Sequence, residues 1–380
     1  MVYPSLDVTS EPVRLSVGRP QLIFFCELAG PALQALFVDH PILPALAASG
    51  DGVAIAMREL DEATAAVARL LNRYHIPLIA WLLLPPDEGF WFNLQNYPQA
   101  VERYRAFHRW AQAVGVQFQA VGLDIEPPTS ELDRIQRWGG RDLARRVWLS
   151  SENVLFASAR AAYTELIAEI HHDGYEVHTY QLPVLADDRR AGTTLIQRAL
   201  DIVDLPADLE VLICYSSAPL EALGNDLGGA LITGYGAAAD SIGVGILSGS
   251  TVRDSSSEGL PSLSWDAFER DLLLAARHTD TIYVYSLDGC IERGLFSRLV
   301  AIDWAAEGHA VRWKRGLVST VRALILVWLL AARFSRLLFA WLGWGLFAIL
   351  FARQARAALQ RGNAPGATPT PQPPHERTVP

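Results

Sequence analysis

Eight apolar runs of strand length recur between residues 21 and 288 of this 380-residue chain, and stretches with helical spacing separate most of them. The runs are continuously apolar rather than alternating, which predicts strands buried on both faces, as in a parallel sheet covered by helices. Eight such units over about 290 residues predict a closed (β/α)8 barrel, or TIM barrel, rather than an open doubly wound sheet. The predicted strands are residues 21–27, 52–58, 77–84, 118–126, 175–182, 209–216, 241–248 and 281–288.

Apolar residues at helical spacing predict helices between these strands. The seventh run is the least regular, because Gly243 and Gly245 interrupt its apolar residues. Glycine weakens a strand interior, so a shortened or irregular barrel stays open as an alternative. The predicted helices are residues 61–74, 97–114, 151–171, 193–203 and 265–277.

Charge is distributed unevenly along the chain. Residues 1–311 hold 40 acidic and 22 basic residues, a formal charge of about −18, whereas residues 312–361 hold nine basic residues and no acidic one. An acidic surface repels phosphate backbones, so we expect no nucleic-acid partner. We divide the sequence into an N-terminal extension (1–20), a barrel domain (21–310), a basic apolar segment (311–361) and a proline-rich tail (362–380) that is predicted to be disordered.

Two 16-residue apolar stretches, 317–332 and 337–352, lie in the basic segment. Each would be about 24 Å long as a helix, somewhat short of a hydrocarbon core of roughly 30 Å. We predict that residues 317–352 associate with a lipid bilayer, either as a short hairpin or as one span beside an interfacial helix. The flanking basic residues predict a cytoplasmic barrel in both arrangements, and residues 1–20 show no signal-peptide pattern.

Residues 121–127, Val-Gly-Leu-Asp-Ile-Glu-Pro, form an apolar run that ends in two carboxylates. In a strand, the period of two puts Gly122, Asp124 and Glu126 on one face. Pro127 then stops the strand just after the second acid, because proline cannot donate to a ladder. Asp124 and Glu126 therefore become candidate catalytic residues at the carboxyl end of strand four, the edge at which parallel barrels hold their chemistry.

Side chains that close the other predicted strands should meet this acidic pair at the same rim. Carboxyl groups can protonate glycosidic oxygens and aromatic rings can stack on the C–H faces of sugars, so the mixture predicts a carbohydrate ligand. Structural alternatives are that Arg58 or another rim arginine holds the pair, or that individual acids cap helices and form turns. The candidate substrate-binding residues are Glu27, Glu59, Trp81, Gln181, Tyr215, Tyr285 and Asp288.

The sequence Gly-Leu-Asp-Ile-Glu-Pro resembles the strand-four signature D-x-x-D-x-D-x-E of the family 18 glycoside hydrolases, the chitinases and endo-N-acetylglucosaminidases. When the final Glu of the signature is placed on Glu126, Asp124 fills the nearest Asp position. The two earlier Asp positions fall on Gly122 and Gln119. The resemblance therefore covers the second half of the signature.

Two further segments carry the same resemblance. Residues 213–216, Ile-Cys-Tyr-Ser, resemble the strand-six Met-x-Tyr-Asp, with Ser216 at the position of the Asp. Residues 285–289, Tyr-Ser-Leu-Asp-Gly, resemble the strand-eight Trp-Ser-Leu-Asp-Gly. The resemblance implies a barrel over residues 21–290 in which Glu126 is the general acid, with a raised pKa. Asp124 and Tyr215 would hold the substrate's acetamido group, so that the substrate itself is the nucleophile.

Other mechanisms and functions stay open from the residues alone. A second glycosidase route keeps Glu126 as the acid and uses Glu27, Glu59 or Asp288 as nucleophile or base. The competing class is a non-catalytic barrel that binds a glycan or a membrane partner through its acidic rim. A membrane-bound lyase or transferase that uses the same acids is a third hypothesis.

We predict neither a metal nor a nucleotide cofactor. The sequence holds no H-x-H on strand one, no H-E-x-x-H and no P-loop. Cys26, Cys214 and Cys290 form no C-x-x-C pair and each lies in or beside an apolar run, which predicts buried, reduced thiols.

Overall fold

The computed structural model describes residues 18–39, 42–128, 145–148, 153–217, 221–247 and 261–362. The predicted tail beyond residue 362 and most of the predicted N-terminal extension (1–17) lie outside the described residues. The first two residues of the helix predicted at 151–171 and the last residue of the strand predicted at 241–248 lie outside them as well.

Eight parallel strands close into a barrel in sequence order, each paired with the next and the eighth with the first. This confirms the TIM barrel, including the seventh strand with its two glycines. Each strand ends one to three residues before its predicted end, because the last apolar residues leave the ladder to form the rim. The strands are β1 (Gln21–Cys26), β2 (Gly52–Met57), β3 (Leu78–Leu82), β4 (Ala120–Asp124), β5 (Glu176–Gln181), β6 (Leu209–Ile213), β7 (Ser241–Gly245) and β8 (Thr281–Tyr285).

Helices cover the outside of the barrel, and side-chain caps fix where several of them begin. The Asp61 carboxylate accepts a hydrogen bond from the Thr64 N–H at 2.8 Å, which satisfies a helix donor that has no partner inside the helix. The helix predicted at 193–203 is reduced to five residues, and Asp201 beyond it has a left-handed φ of 55°. The barrel helices are α1 (Gly30–Asp39), α2 (Leu43–Ser49), α3 (Glu62–Arg73), α4 (Tyr97–Val114), α5 (Leu155–His172), α6 (Leu185–Ala191), α7 (Leu195–Ala199), α8 (Ala230–Tyr235), α9 (Trp265–Ala275), α10 (Leu287–Glu292) and α11 (Phe296–Val300).

Strand side chains alternate between an outer core under the helices and an inner core inside the barrel. The inner core is largely aromatic. The ring of Phe25 lies at its centre, with centroid distances of 4.9 Å to Trp81, 4.8 Å to Tyr180 and 5.2 Å to Tyr283. These four side chains are all buried. They form an aromatic floor, so the rim above it is the place where a ligand can meet polar groups.

Two long helices follow the barrel, α12 (Arg312–Arg333) and α13 (Ser335–Gly362). They are about 33 and 42 Å long at 1.5 Å per residue, longer than the apolar stretches predicted. Contacts divide the chain into two compact units, Met1–Leu329 and Leu330–Pro380. Among the described helices, α12 is the one with the length and mean hydropathy, 1.6, to cross a bilayer. Attachment to a membrane stays a prediction.

Candidate functional site

Three carboxyl groups meet at the carboxyl ends of β1 and β4, and we call Glu27, Asp124 and Glu126 the acid cluster. The three groups lie close enough to change each other's pKa. The negative charges of Glu126 and Glu27 raise the pKa of Asp124, and the charge of Glu27 raises the pKa of Glu126. The Glu27 and Asp124 side chains are buried, 5% and 4% exposed, whereas Glu126 is partly exposed. The sequence predicted all three for the site, and the fold brings them together.

Backbone hydrogen bonds hold the end of β4 from both sides. The Ile125 N–H donates to the Tyr180 carbonyl at 3.0 Å, and the Glu126 N–H donates to the Phe92 carbonyl at 3.2 Å. The Phe92 N–H in turn donates to the Asp124 carbonyl at 2.9 Å. The two acids of β4 therefore lie on a backbone that is fixed to β5 and to the loop after β3.

Aromatic donors hold the two buried acids. The indole Nε1–H of Trp81 donates to Oδ2 of Asp124 at 2.9 Å, and the hydroxyl of Tyr285 donates to Oε2 of Glu27 at 2.5 Å. The Trp81 and Tyr285 rings lie 6.5 Å apart, edge to face. Both residues were predicted for the site, and both orient an acid of the cluster.

Burial raises the pKa of both acids at the end of β4. The pKa of Asp124 lies well above its usual 3.8, because burial disfavours the charged form and the charge of Glu126 adds to the effect, while the bond from Trp81 opposes it. Burial and then the negative charge of Glu27 raise the pKa of Glu126 from 4.5 to about 7. The acid cluster therefore holds a proton near neutral pH.

In the part of the chain that the structure describes, no arginine is seen to neutralise Asp124 or Glu126. Among the described residues, the charges that shift the pKa values of Asp124 and Glu126 are all negative. The guanidinium of Arg58 lies over the Phe90 ring instead, 5.8 Å from its centroid. A structural ion pair was the alternative to a catalytic role, and within the described ranges its partner is missing.

Tyr215 joins the cluster from the end of β6. Burial raises the pKa of its phenol well above 10, and the charges of Asp124, Glu126 and Glu27 raise it further, in that order. Its ring centroid lies 6.1 Å from that of Tyr285. The phenol therefore stays protonated beside the acids and can donate a hydrogen bond to a ligand, as predicted for this residue.

Three further predicted site residues are not members of the acid cluster. Gln181 pairs with Leu212, whose side chain belongs to the outer core, so Gln181 points towards the helices rather than into the barrel. Glu59 is exposed on the turn after β2. Asp288 is buried in α10, where its charge acts on the thiols of Cys26 and Cys290 behind the strands. Gln181 was chosen from its place at a strand end without the direction of its side chain, whereas the roles of Glu59 and Asp288 stay predictions.

The sequence missed Tyr180, which lies inside the barrel one residue before Gln181. Tyr180 pairs with Asp124 across the β4–β5 ladder and therefore shares its face. Its phenol also occupies the space above Gly122, since a Cβ on Gly122 would lie 2.3 Å from the Tyr180 hydroxyl oxygen. At this signature position an aromatic ring fills the space of an acid. The alternation of His178 and Tyr180 with Val177 and Thr179 was the signal that could have identified it.

Ser216, the second position without the family's acid, faces the outer core. Its hydroxyl accepts a hydrogen bond from the Gly229 N–H at 3.0 Å and also bonds to the buried Asp271 of α9. Ser216 is fully buried. It therefore fixes the loop after β6 and does not extend the acid cluster.

Within the described ranges, no group of three His, Cys, Asp or Glu side chains is arranged to hold a metal ion.

Comparison with known proteins does not identify a family for this chain. No family model and no curated protein matches the chain. Solved structures similar to it include an L-ribulose 3-epimerase, with 13% identity, 84% of this chain and 98% of that chain covered, and a TM-score of 0.38. The PgaB (BpsB) glycoside hydrolase domain from Bordetella bronchiseptica matches at 11% identity, 74% and 98% coverage, and a TM-score of 0.41. Chitinase ChiW from Paenibacillus sp. str. FPU-7 matches at 9% identity, 74% and 32% coverage, and a TM-score of 0.41. These proteins include a sugar epimerase and glycoside hydrolases, and none is similar enough to assign a chemistry to this chain.

Proposed function

We propose that this chain is a glycoside hydrolase-like barrel in which Glu126 is the general acid. The observation that supports the proposal most strongly is the state of Glu126, which is partly exposed at the end of β4 and has a pKa of about 7. A glycosidase acid must carry a proton at the working pH and must reach the leaving oxygen. Glu126 meets both needs, because the buried surroundings and Glu27 keep it protonated while part of its side chain faces solvent.

In this proposal, Glu126 gives its proton to the glycosidic oxygen as the bond from that oxygen to the anomeric carbon breaks. Glu27, oriented by the Tyr285 hydroxyl, is the second carboxylate. It attacks the anomeric carbon directly or takes a proton from an attacking water. Asp124 is held by Trp81 and, as a neutral acid, donates a hydrogen bond to the sugar.

The substrate-assisted route uses the same acid with a different helper. Asp124 and Tyr215 would hold the acetamido group of the substrate, whose carbonyl oxygen would attack in place of Glu27. The two routes differ in what the sugar must carry. Hydrolysis that requires a 2-acetamido group supports substrate assistance, and rescue of a Glu27→Ala variant by azide supports Glu27.

The test is hydrolysis of a broad glycan panel by the wild type and by Glu126→Gln. Loss of a general acid typically lowers the rate 10²- to 10⁴-fold, and we expect a loss in that range, with binding retained. Because the acid must be protonated, kcat/KM of the wild type should fall as pH rises through about 7. The matched control is Glu165→Gln, an exposed acid on α5, which should match the wild type. Equal rates for Glu126→Gln and the wild type would reject the assignment.

A non-catalytic glycan-binding barrel is the second candidate. It is favoured by Gly122, where the Tyr180 ring fills the space of an acid, and by Ser216, which faces the outer core. This candidate predicts that the wild type hydrolyses no member of the panel, yet binds a glycan as tightly as Glu126→Gln does. Isothermal titration of both variants separates the two functions.

We further propose that residues 311–361 attach the barrel to a membrane, with the barrel on the cytoplasmic side. The side chains of α13 support the attachment, since Trp341 is 76% exposed, Trp344 70% and Phe347 59%. Exposed apolar patches of this kind mark membrane or protein interaction sites. The proposal predicts that the full chain stays in the membrane pellet after an alkaline carbonate wash. A reporter fused before residue 310 that is protected from the cytoplasm would reject the orientation.

A further inference from the structure

Helix α12 is fastened to the barrel by charged side chains. The guanidinium of Arg322 pairs with the Asp187 carboxylate at 2.9 Å, and Asp187 itself is 1% exposed. The Tyr235 hydroxyl donates to the same carboxylate at 2.6 Å, and the guanidinium lies 3.8 Å from the centroid of the Tyr235 ring. Near the start of the helix, the Lys314 ammonium donates to the Leu223 carbonyl at 2.8 Å. These bonds hold α12 against the α6 and α8 side of the barrel.

The residues that face the barrel form one stripe along α12. They recur every three or four residues, as expected for one side of a helix. Leu329 is fully buried, and the others are partly buried. The stripe consists of Lys314, Val318, Arg322, Ile325 and Leu329.

A second side of α12, about 120° around the helix from the first stripe at 100° per residue, is apolar and exposed. Its residues also recur every three or four positions, and the most exposed are Val327 at 65% and Leu324 at 64%. Arg312 and Arg315, both exposed, lie at the start of the helix. This outer stripe consists of Trp313, Leu317, Val321, Leu324 and Val327.

These two stripes do not suit a helix that crosses a bilayer. A crossing would place the charged Arg322, near the middle of α12, in hydrocarbon, where a guanidinium is strongly disfavoured. It would also leave Asp187 buried without its cation, which is strongly unfavourable. An apolar stripe beside basic residues is instead the pattern of a helix that lies in the membrane interface and attracts anionic headgroups.

We propose that α12 lies in the plane of an anionic membrane surface and sets the orientation of the barrel, and that α13 alone crosses the bilayer. The outer stripe enters the headgroup region, and the exposed Arg312, which flanks the stripe in the first turn, contacts the lipid phosphates. The inference rests on the proposed membrane attachment. It assigns separate roles to the two helices, whereas hydropathy selects α12 as the span.

The test uses the full chain in vesicles of phosphatidylcholine and phosphatidylglycerol, labelled with a membrane-impermeant maleimide. Cys26, Cys214 and Cys290 are buried, so single cysteines can be introduced without background labelling. The variants are Gly316→Cys and Phe334→Cys for the two ends of α12, Gln354→Cys within α13, and Glu165→Cys on the barrel as the reference. We expect positions 316 and 334 to be labelled from the same side as position 165, and position 354 from the other side.

A second measurement tests the depth of α12. A fluorophore on Leu324→Cys should be quenched by lipids with a quencher near the headgroup more than by lipids with a quencher at the chain end. The matched control, Ser319→Cys, lies outside the outer stripe and should be quenched less by both.

The outcomes separate this inference from the proposals on which it rests. Labelling of positions 316 and 334 from opposite sides would show that α12 spans, and labelling of all four positions from one side would show that α13 does not cross; either result overturns the inference. A chain that the carbonate wash releases rejects the membrane attachment itself. A chain without glycosidase activity that gives the expected labelling rejects only the proposed enzyme, and the inference stands.

Discussion

Replacement of Glu126 by glutamine should stabilise the protein at high pH and leave its stability unchanged at low pH. In the folded state the pKa of Glu126 is about 7, whereas its ordinary value is 4.5. Between these values the folded protein binds a proton that the unfolded chain releases, so the free energy of unfolding decreases as pH rises through this window. The ratio of the two proton affinities corresponds to about 3 kcal/mol.

Glutamine has the shape of the protonated acid and does not titrate, so the variant does not lose this part of its unfolding free energy as pH rises. The expected gain for Glu126→Gln is therefore near zero at pH 4.5 and rises to roughly 2–3 kcal/mol at pH 8, since residual contact with water reduces the full value. Part of the gain appears through Asp124 and Glu27, whose mutual repulsion with Glu126 is removed.

The assay is urea unfolding of the full chain at pH 4.5, 6 and 8, followed by circular dichroism in one fixed non-ionic detergent. The midpoint difference between Glu126→Gln and the wild type should grow with pH. Glu165→Gln, an exposed acid on α5, should show no such trend. A difference that is independent of pH, or a Glu126→Gln variant that is less stable at pH 8, would refute the assigned pKa and with it the main support for a general acid.

Three further predictions concern the packing around Gly122, the ion pair between Arg322 and Asp187, and the three cysteines. Gly122→Ala should lower the free energy of unfolding by about 1–3 kcal/mol, because its Cβ would lie 2.3 Å from the Tyr180 hydroxyl oxygen. This loss of stability should be smaller in a Tyr180→Leu background. The control Gly316→Ala, which has open space around its Cβ, should cause no loss. Arg322→Met should destabilise the chain by roughly 3–5 kcal/mol, because it leaves Asp187 buried without its cation. Adding Asp187→Asn to this variant should restore part of the lost stability. A urea midpoint of Arg322→Met equal to that of the exposed Arg315→Met would contradict the buried ion pair. Burial raises the pKa of the Cys26, Cys214 and Cys290 thiols, so a disulfide reagent should react with none of them in the folded chain and with three in denaturant; fast reaction of any thiol under native conditions would show that it is accessible.

The fold was predictable because continuous apolar runs are a strong signal. A strand buried on both faces must be apolar throughout, so each of the eight strands could be found from composition, even β7 with Gly243 and Gly245. Strand ends were less predictable, because an apolar residue that leaves the ladder at the rim looks the same in sequence as one that stays in it.

The site was predictable only where side-chain direction could be derived. On β4, the period of two placed Asp124 and Glu126 correctly on one face. On β5 the same rule favours Tyr180, yet the prediction chose its polar neighbour Gln181, which faces the outer core. Register across the barrel decides such cases, and it is set by pairing between strands, which one sequence does not reveal.

Arg322 illustrates a different limit. In the sequence it interrupts an apolar stretch and gives no sign of its partner. The partner, Asp187, is 135 residues earlier in the chain, in a short helix after β5. A buried charge needs a counter-ion, so the sequence implies that a partner exists but cannot name it.

The bond between Asp187 and Arg322 also has a consequence for biosynthesis. When β8 has left the ribosome, all eight strands are available, but the cation that neutralises Asp187 is still to be translated. The nascent barrel therefore carries an unmatched charge in its wall until α12 emerges and docks. We expect folding of the barrel to be completed only when α12 has been synthesised, so that a chain truncated before Arg322 is less stable than the complete domain.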